Sequence, residues 1–555
     1  MHRFSVVVAL TVISMVPVGT AHAQIRFDDI SKKSGIADEA INAAGPSFVD
    51  YDNDGDTDIY VSVEALADGL ENRLWENDGN GNFTDVAAAR GVDNAGGLGR
   101  GVGWGDYDND GDWDLVVANM PPSGLPQGFT PTTLYKNLLI ETGVPNFEDI
   151  TRSAGLMRMD NELDVRVGGL ASTSGGVNFV DYDQDGDLDI LWRSAEYDVD
   201  NELFRNDGND TFTRVTEPAG ISMVGKVKEK NSQGDAGWTD FNNDGIVDLL
   251  SPNEGDRKLM FLGNGDGTFT DITLNRQPPT GLVFINPGNA NGVCLGDIEN
   301  DGDMDVYFPM ADQANRLYRN DFAETGALTF TDTTLTAGAD DPGGARGCTM
   351  ADYDNDGYLD IYVNNGGYQN TLINDVIAGF PPFVQFYIAW EQADNVLYLN
   401  NGDGTFRDAT RKAGVRGRGI AGGVASGDIN DDGFPDIFVT NRTYYSAGKP
   451  AQEILSNVLY LNRGNDNNWI KTRLVGTQSN RSAINARVRA VSDEFAVVRE
   501  VLPASGYNSM DDPTLIFGLG RRDKVDYLEV TWPSGVVQRI DNPEIRTTVE
   551  IVEPQ

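Results

Sequence analysis

Short runs of β-branched, aromatic and leucine side chains recur along this chain, many opened by an aspartate: DIYVSV from Asp58, DLVVAN from Asp114 and DIFVTN from Asp436. Such runs, bounded by turn-forming residues, predict strands. Two further apolar signatures keep the same period. One reads FDDISKKSGI from Phe27, FTDVAAARGV from Phe83, FEDITRSAGL from Phe147 and FRDATRKAGV from Phe406. The other reads NRLWEND from Asn72, NELFRND from Asn201, NRLYRND from Asn315 and NVLYLNR from Asn457. Each unit of 55 to 76 residues therefore holds four short strands. Four antiparallel strands per repeat, seven times over, predict an all-β chain: a seven-bladed β-propeller, with closure removing exposed sheet edges.

The polar segment between the first two strands of each unit is the most regular feature. It reads DYDNDGDTD from Asp50, and returns from Asp106, Asp181, Asp240, Asp297, Asp352 and Asp428. Positions 1, 5 and 9 are always Asp and position 6 is always Gly, while position 3 always carries an oxygen. Calcium takes six to eight oxygens, supplied by side chains at loop positions 1, 3 and 5 and a carbonyl at 7, with Gly at 6 for the turn. The pattern predicts seven calcium loops with ligands at positions 1, 3, 5, 7 and 9. In the first these are Asp50, Asp52, Asp54, Asp56 and Asp58, and in the second Asp106, Asp108, Asp110, Asp112 and Asp114. The third offers Asp181, Asp183, Asp185, Asp187 and Asp189, and the fourth Asp240, Asn242, Asp244, Ile246 and Asp248. The fifth offers Asp297, Glu299, Asp301, Asp303 and Asp305, and the sixth Asp352, Asp354, Asp356, Tyr358 and Asp360. The seventh offers Asp428, Asn430, Asp432, Phe434 and Asp436. Because Ile246, Tyr358 and Phe434 occupy position 7, that residue is expected to give only its carbonyl. An EF-hand would need Glu at position 12, where the first copy has Val61.

Charge and composition narrow the field. Lys and Arg number 42 against 86 Asp and Glu, a net charge of −44, which disfavours nucleic acid and anionic membranes as partners. Residues 1–23 combine Arg3, an apolar stretch and Ala21-His22-Ala23, the pattern of a secretory signal peptide cleaved after Ala23. No membrane span is expected beyond it, and the mature chain is expected in the periplasm or outside the cell. Both histidines, His2 and His22, fall in that segment. The remainder has no Ser-His-Asp triad and no His-ligated metal. Cys294 and Cys348 lie three and four residues ahead of their loops, on opposite faces of their strands. That parity argues against a disulfide and for two buried thiols.

The order of the signatures sets a closure. The chain opens on an F-x-D strand and leaves the repeats after the strand ending near Leu461, so the last unit lacks its fourth strand. Arg26–Ile30 is expected to pair with Val458–Leu461. Residues 24–466 would form the propeller.

These loops resemble the FG-GAP/VCBS repeat family, across roughly residues 25 to 465. The resemblance implies calcium loops on one face of the disc and long connections on the other, including Asn119–Thr132 and Gly366–Asp394. From Asn468 the period stops, and turn-separated strands predict a second all-β domain at 467–555. Its segments NWIKTRL, SNRSAINARV, ASGYNSMDDP, LIFGLG and VTWPSG resemble the ASPIC/UnbV domain. Asn485 stands where that family usually has Gly, and Asn tolerates a left-handed backbone. The two-part chain is similar to the secreted cartilage acidic protein family, whose members bind calcium. The expected function is a calcium-stabilised binding or adhesion module for an extracellular or periplasmic protein or glycan, with up to seven Ca²⁺. The alternative is a carbohydrate-active or other non-histidine enzyme on the face opposite the loops, with Tyr387 and Glu391 as available groups.

Overall fold

The computed structural model describes residues 25–36, 41–64, 71–119, 132–156, 174–194, 200–223, 234–253, 258–273, 288–366, 368–371, 387–390, 392–442 and 456–555. The expected signal peptide, most of the long connections and Glu391 lie outside these residues, and Tyr387 is described in its backbone only.

Among the described residues, seven four-stranded antiparallel sheets lie within 27–462. The first runs Ala43–Val49, Asp58–Val63, Arg73–Asn77 and Phe83–Asp85. Five more repeat that order, and the aspartate-rich loop always joins the first strand to the second. The seventh runs Ala421–Gly427, Asp436–Asn441 and Val458–Asn462, and takes its fourth strand, Phe27–Asp29, from the start of the chain. There Phe27 lies opposite Asn462 and Asp29 opposite Tyr460, the pairing that the order of signatures requires. The seventh and first sheets also share a core of Phe48, Ile59, Trp75, Phe438 and Leu459. The fold is a β-propeller: the polar loops cannot be buried in a sheet, and the apolar strands between them bury both faces against neighbouring sheets.

Sheets packed side by side explain one departure from expectation. Cys294 and Cys348 form a disulfide, with Cα atoms 6.1 Å apart. The parity argument was sound for one sheet but wrong for two. In a stack, the right face of one sheet meets the left face of the next, so residues on opposite faces are the ones that touch. The same geometry recurs one sheet earlier. Gly237 and Val293 hold the equivalent positions, and a Cβ on Gly237 would lie 3.2 Å from the Val293 side chain.

The tail forms a three-stranded sheet and a four-stranded sheet. The first orders Leu515–Gly520, Asn468–Val475 and Thr548–Val552. The second orders Phe495–Glu500, Arg487–Ser492, Tyr527–Thr531 and Val537–Asp541. Asn485 has φ 68° and fills the left-handed position expected of it. Its amide donates to the Trp238 carbonyl at 3.0 Å, an anchor to the propeller that glycine could not make.

Candidate functional site

Each loop is built by its own aspartates. The position 1 carboxylate of Asp106 accepts the N–H groups of Asp110 at 3.0 Å and Gly111 at 2.9 Å, which curls the loop around it. The position 5 carboxylate of Asp110 accepts the N–H of residue 112. Gly111 has φ 111° and Asn109 φ 59°, so the turn needs left-handed backbone at both places. Position 9 is buried in all seven copies. Asp189 accepts from Asn206 N at 2.7 Å and Tyr182 N at 3.2 Å, which bolts the loop to the third strand.

The position 3 side chains play a different part. Asp52, Asp108, Asp183, Glu299, Asp354 and Asn430 each keep a buried oxygen with no hydrogen-bond partner. In the first three loops the carboxylates of positions 1, 3 and 9 bring oxygens within 4.8 Å of one another: Asp50, Asp52 and Asp58; Asp106, Asp108 and Asp114; Asp181, Asp183 and Asp189. Burial, then repulsion from Asp110 and Asp108, pushes Asp106 up to about 8. Burial and the like charges of Asp185 and Asp183 push Asp181 up to about 7. Converging carboxylate oxygens, among them a buried position 3 oxygen left without a donor, fit a hard divalent cation. Position 7 proves more varied than expected. Asp112 and Asp303 are buried carboxylates that accept the N–H groups of Ile140 and Ala323.

Position 4 was not singled out from the sequence, yet it links the loops. Asn53 Nδ2 donates to Gly111 O at 2.9 Å, Asn109 to Gly186 O at 3.1 Å and Gln184 to Gly245 O at 2.9 Å. Asn243 donates to Gly302 O, Asn300 to Gly357 O and Asn355 to Gly433 O, at 3.2, 3.0 and 2.8 Å. Six of the seven junctions between loops thus carry an amide bridge. At the seventh the residue is Asp431, which has no N–H to give and instead takes Lys471 Nζ from the tail. A second set of bridges runs the other way, as where Asn77 Nδ2 reaches Ile429 O at 2.8 Å across that same junction. The recurrence of Asn in five of seven copies was the available signal.

The tail lies over this face. Its cations meet the loops one after another: Lys471 on Asp428 at 2.9 Å, Arg473 on Asp50 at 3.3 Å and Arg481 on Asp106 at 3.5 Å. Arg487 donates to the Asp240 carbonyl at 3.2 Å, and Arg499 lies 3.8 Å from Asp352. The third loop meets the tail through Gln184, which donates to Pro533 O. The ASGYNSMDDP segment descends between the inner strands. Gly506 and Val293 exchange two backbone bonds of 3.0 Å, Met510 N donates to Pro46 O, and Asp512 N donates to Ser426 O. Tyr507 is fully buried there, with Arg346 and Arg442 at 5.3 and 5.5 Å from its ring. Burial alone would raise its phenol, but Arg442, Arg346 and Arg100 outweigh that and hold it below the usual value.

Comparison with known proteins matches both parts. A family model described as FG-GAP-like repeat matches residues 50–117, 240–308, 310–363 and 383–439, and one described as ASPIC and UnbV matches 476–555. The chain is similar to cartilage acidic protein 1 of Homo sapiens, 25% identical over 81% of this chain and 62% of the relative. Its likeness to the Mus musculus protein is 28% over 56% of this chain and 43% of that one. The chain therefore spans less than two thirds of these relatives. Among solved structures, an Agrocybe aegerita lectin that recognises non-reducing terminal N-acetylglucosamine matches with TM-score 0.34 and 15% identity, over 75% of this chain and 90% of the lectin. YCF48 bound to D1 peptide matches with TM-score 0.39 and 8% identity, over 79% and 95%. Among the described residues no helix is long and apolar enough to cross a membrane.

Proposed function

Because the chain belongs to the proteins that join FG-GAP-like repeats to an ASPIC and UnbV domain, we propose that it is a calcium-stabilised interaction module working outside the cytosol. In this reading residues 24–466 form one seven-bladed ring, and 467–555 form the domain that closes its loop face. Up to seven Ca²⁺ serve the fold rather than a reaction.

The convergence of carboxylate oxygens at positions 1, 3 and 9, with a buried, donor-free oxygen at position 3, carries the reading. Bound calcium would supply the charge that lets these carboxylates stay ionised side by side. The tail already covers the loop face, so the proposed partner, a protein or glycan, meets another surface of the ring. The Cys294–Cys348 disulfide supports an oxidising compartment, as does the signal-like stretch at 1–23.

The test is thermal melting in excess chelator, then with calcium restored. A lower melting temperature that calcium recovers is expected, and an unchanged one overturns the structural role. Pull-down and glycan-array screens, with and without calcium, address the interaction.

A further inference from the structure

The fifth loop holds more carboxylate than a single ion needs. Asp303, at position 7, is 1% exposed. Its Oδ2 accepts the Ala323 N–H at 2.6 Å, while its Oδ1 is buried without a partner. The position itself does not need an acid, since Ile246, Tyr358 and Phe434 serve there in other loops. Oxygens of Asp303, Asp301 and Glu324 lie within 4.8 Å of one another. Glu324 comes from the short helical turn Phe322–Thr325, which follows the third strand of this sheet.

The second sheet provides an internal comparison. It has the same turn, Leu139–Thr142, with LIETG matching FAETG and Glu141 in the place of Glu324. There a cation is built into the chain: Lys136 Nζ lies 2.5 Å from Asp108 and 3.2 Å from Glu141. The equivalent residue of the fifth sheet is Arg319, and its guanidinium turns away to Asp321, at 2.9 and 2.6 Å. Among the described residues no Lys or Arg pairs with Asp301, Asp303 or Glu324. One turn thus carries its own ammonium among the acids, and its counterpart leaves the acids together.

We propose that Asp301, Asp303 and Glu324 form an additional site for a hard divalent cation, calcium by class, beside the fifth loop. Asp301 bridges the two ions, whereas the Asp303 carboxylate and Glu324 serve only the added one. The exposed side, where Asp301 and Glu324 meet solvent, leaves room for the water ligands that such ions keep. The inference rests on the calcium reading of the loops.

The test counts bound calcium at saturation by equilibrium dialysis with elemental analysis. Glu324→Gln and Asp303→Asn are each expected to bind one ion fewer than wild type. Glu141→Gln is expected to bind the same number, because Lys136 holds that place. Circular dichroism confirms that each variant folds. Unchanged counts for both Glu324→Gln and Asp303→Asn overturn the added site while leaving the loop reading intact. A wild type that binds no calcium overturns the loop reading and this site together.

Discussion

Cys294 and Cys348 leave their own strands in opposite directions and meet in the seam between the fifth and sixth sheets. The bond closes a loop of 54 residues that contains the whole outer part of the fifth sheet. On chain-entropy grounds such a loop contributes about 4 kcal/mol, with engineered and native cases running about 2–4 kcal/mol. The double variant Cys294→Ala/Cys348→Ala should lower stability by about that range, read from the urea midpoint. Non-reducing peptide mapping should recover the two residues in one cross-linked fragment.

Positions 3 and 9 of a loop should respond differently to calcium. Asp183 has a buried oxygen with no donor, so its role is toward the ion. Asp183→Ala should reduce stability in calcium and leave it unchanged, or slightly higher, in chelator. Asp189 also holds Asn206 N and Tyr182 N, so Asp189→Ala should cost about 2–3 kcal/mol even in chelator. Equal losses for the two variants under both conditions would show that the loops fold without reference to metal.

The amide bridges can be weighed one at a time. Asn300 has φ 59°, so Asn300→Gly keeps the backbone while deleting the bond to Gly357 O. A loss of about 1 kcal/mol in the chemical unfolding midpoint is expected. Asn300→Ala should cost more, because it adds a strained left-handed backbone to the same deletion.

Docking of the tail should weaken as pH rises. Asp511 accepts Ser426 N at 2.7 Å and the Thr349 hydroxyl at 3.0 Å, and burial pushes it up to about 6 against those bonds. A raised carboxyl favours the folded state below its ordinary value near 4, and that advantage is lost as pH climbs through 6. With calcium saturating, the melting temperature should fall across that window. Asp511→Asn keeps the acceptor for Ser426 and can donate to Thr349, so it should flatten the Asp511 share of the slope. An unaltered slope would show that Asp511 is not a source of the pH dependence.

Much of this architecture was legible because the repeats comment on one another. Seven copies of the loop reveal which positions are fixed, and the order of the signatures alone pairs the F-x-D strand at Phe27 with the strand ending near Leu461. What stayed hidden depends on how separate segments stack. The parity of Cys294 and Cys348 was counted within single strands, although their pairing is decided between sheets. Asn recurs at position 4, but its acceptor belongs to the next repeat and does not show within one copy. The basic residues of the tail share no period with the loops they meet. Lys471, Arg473 and Arg481 gain their places only once two folded domains are laid together.

The missing amide at Asp431 gives the ring a start and a finish. Its last junction is fastened instead by Phe27–Asp29 pairing with 460–462, by Asn77 reaching back to Ile429, and by Lys471 from the tail. The first two clasps join the early chain to its later part, Phe27 to Asn462 and Asn77 to Ile429, whereas Lys471 reaches back only 40 residues to Asp431. A polypeptide emerging from its N-terminus must therefore carry its first strand unpartnered until residue 462 follows. Until then it is an open arc with two bare edges, the form most exposed to mispairing with another chain.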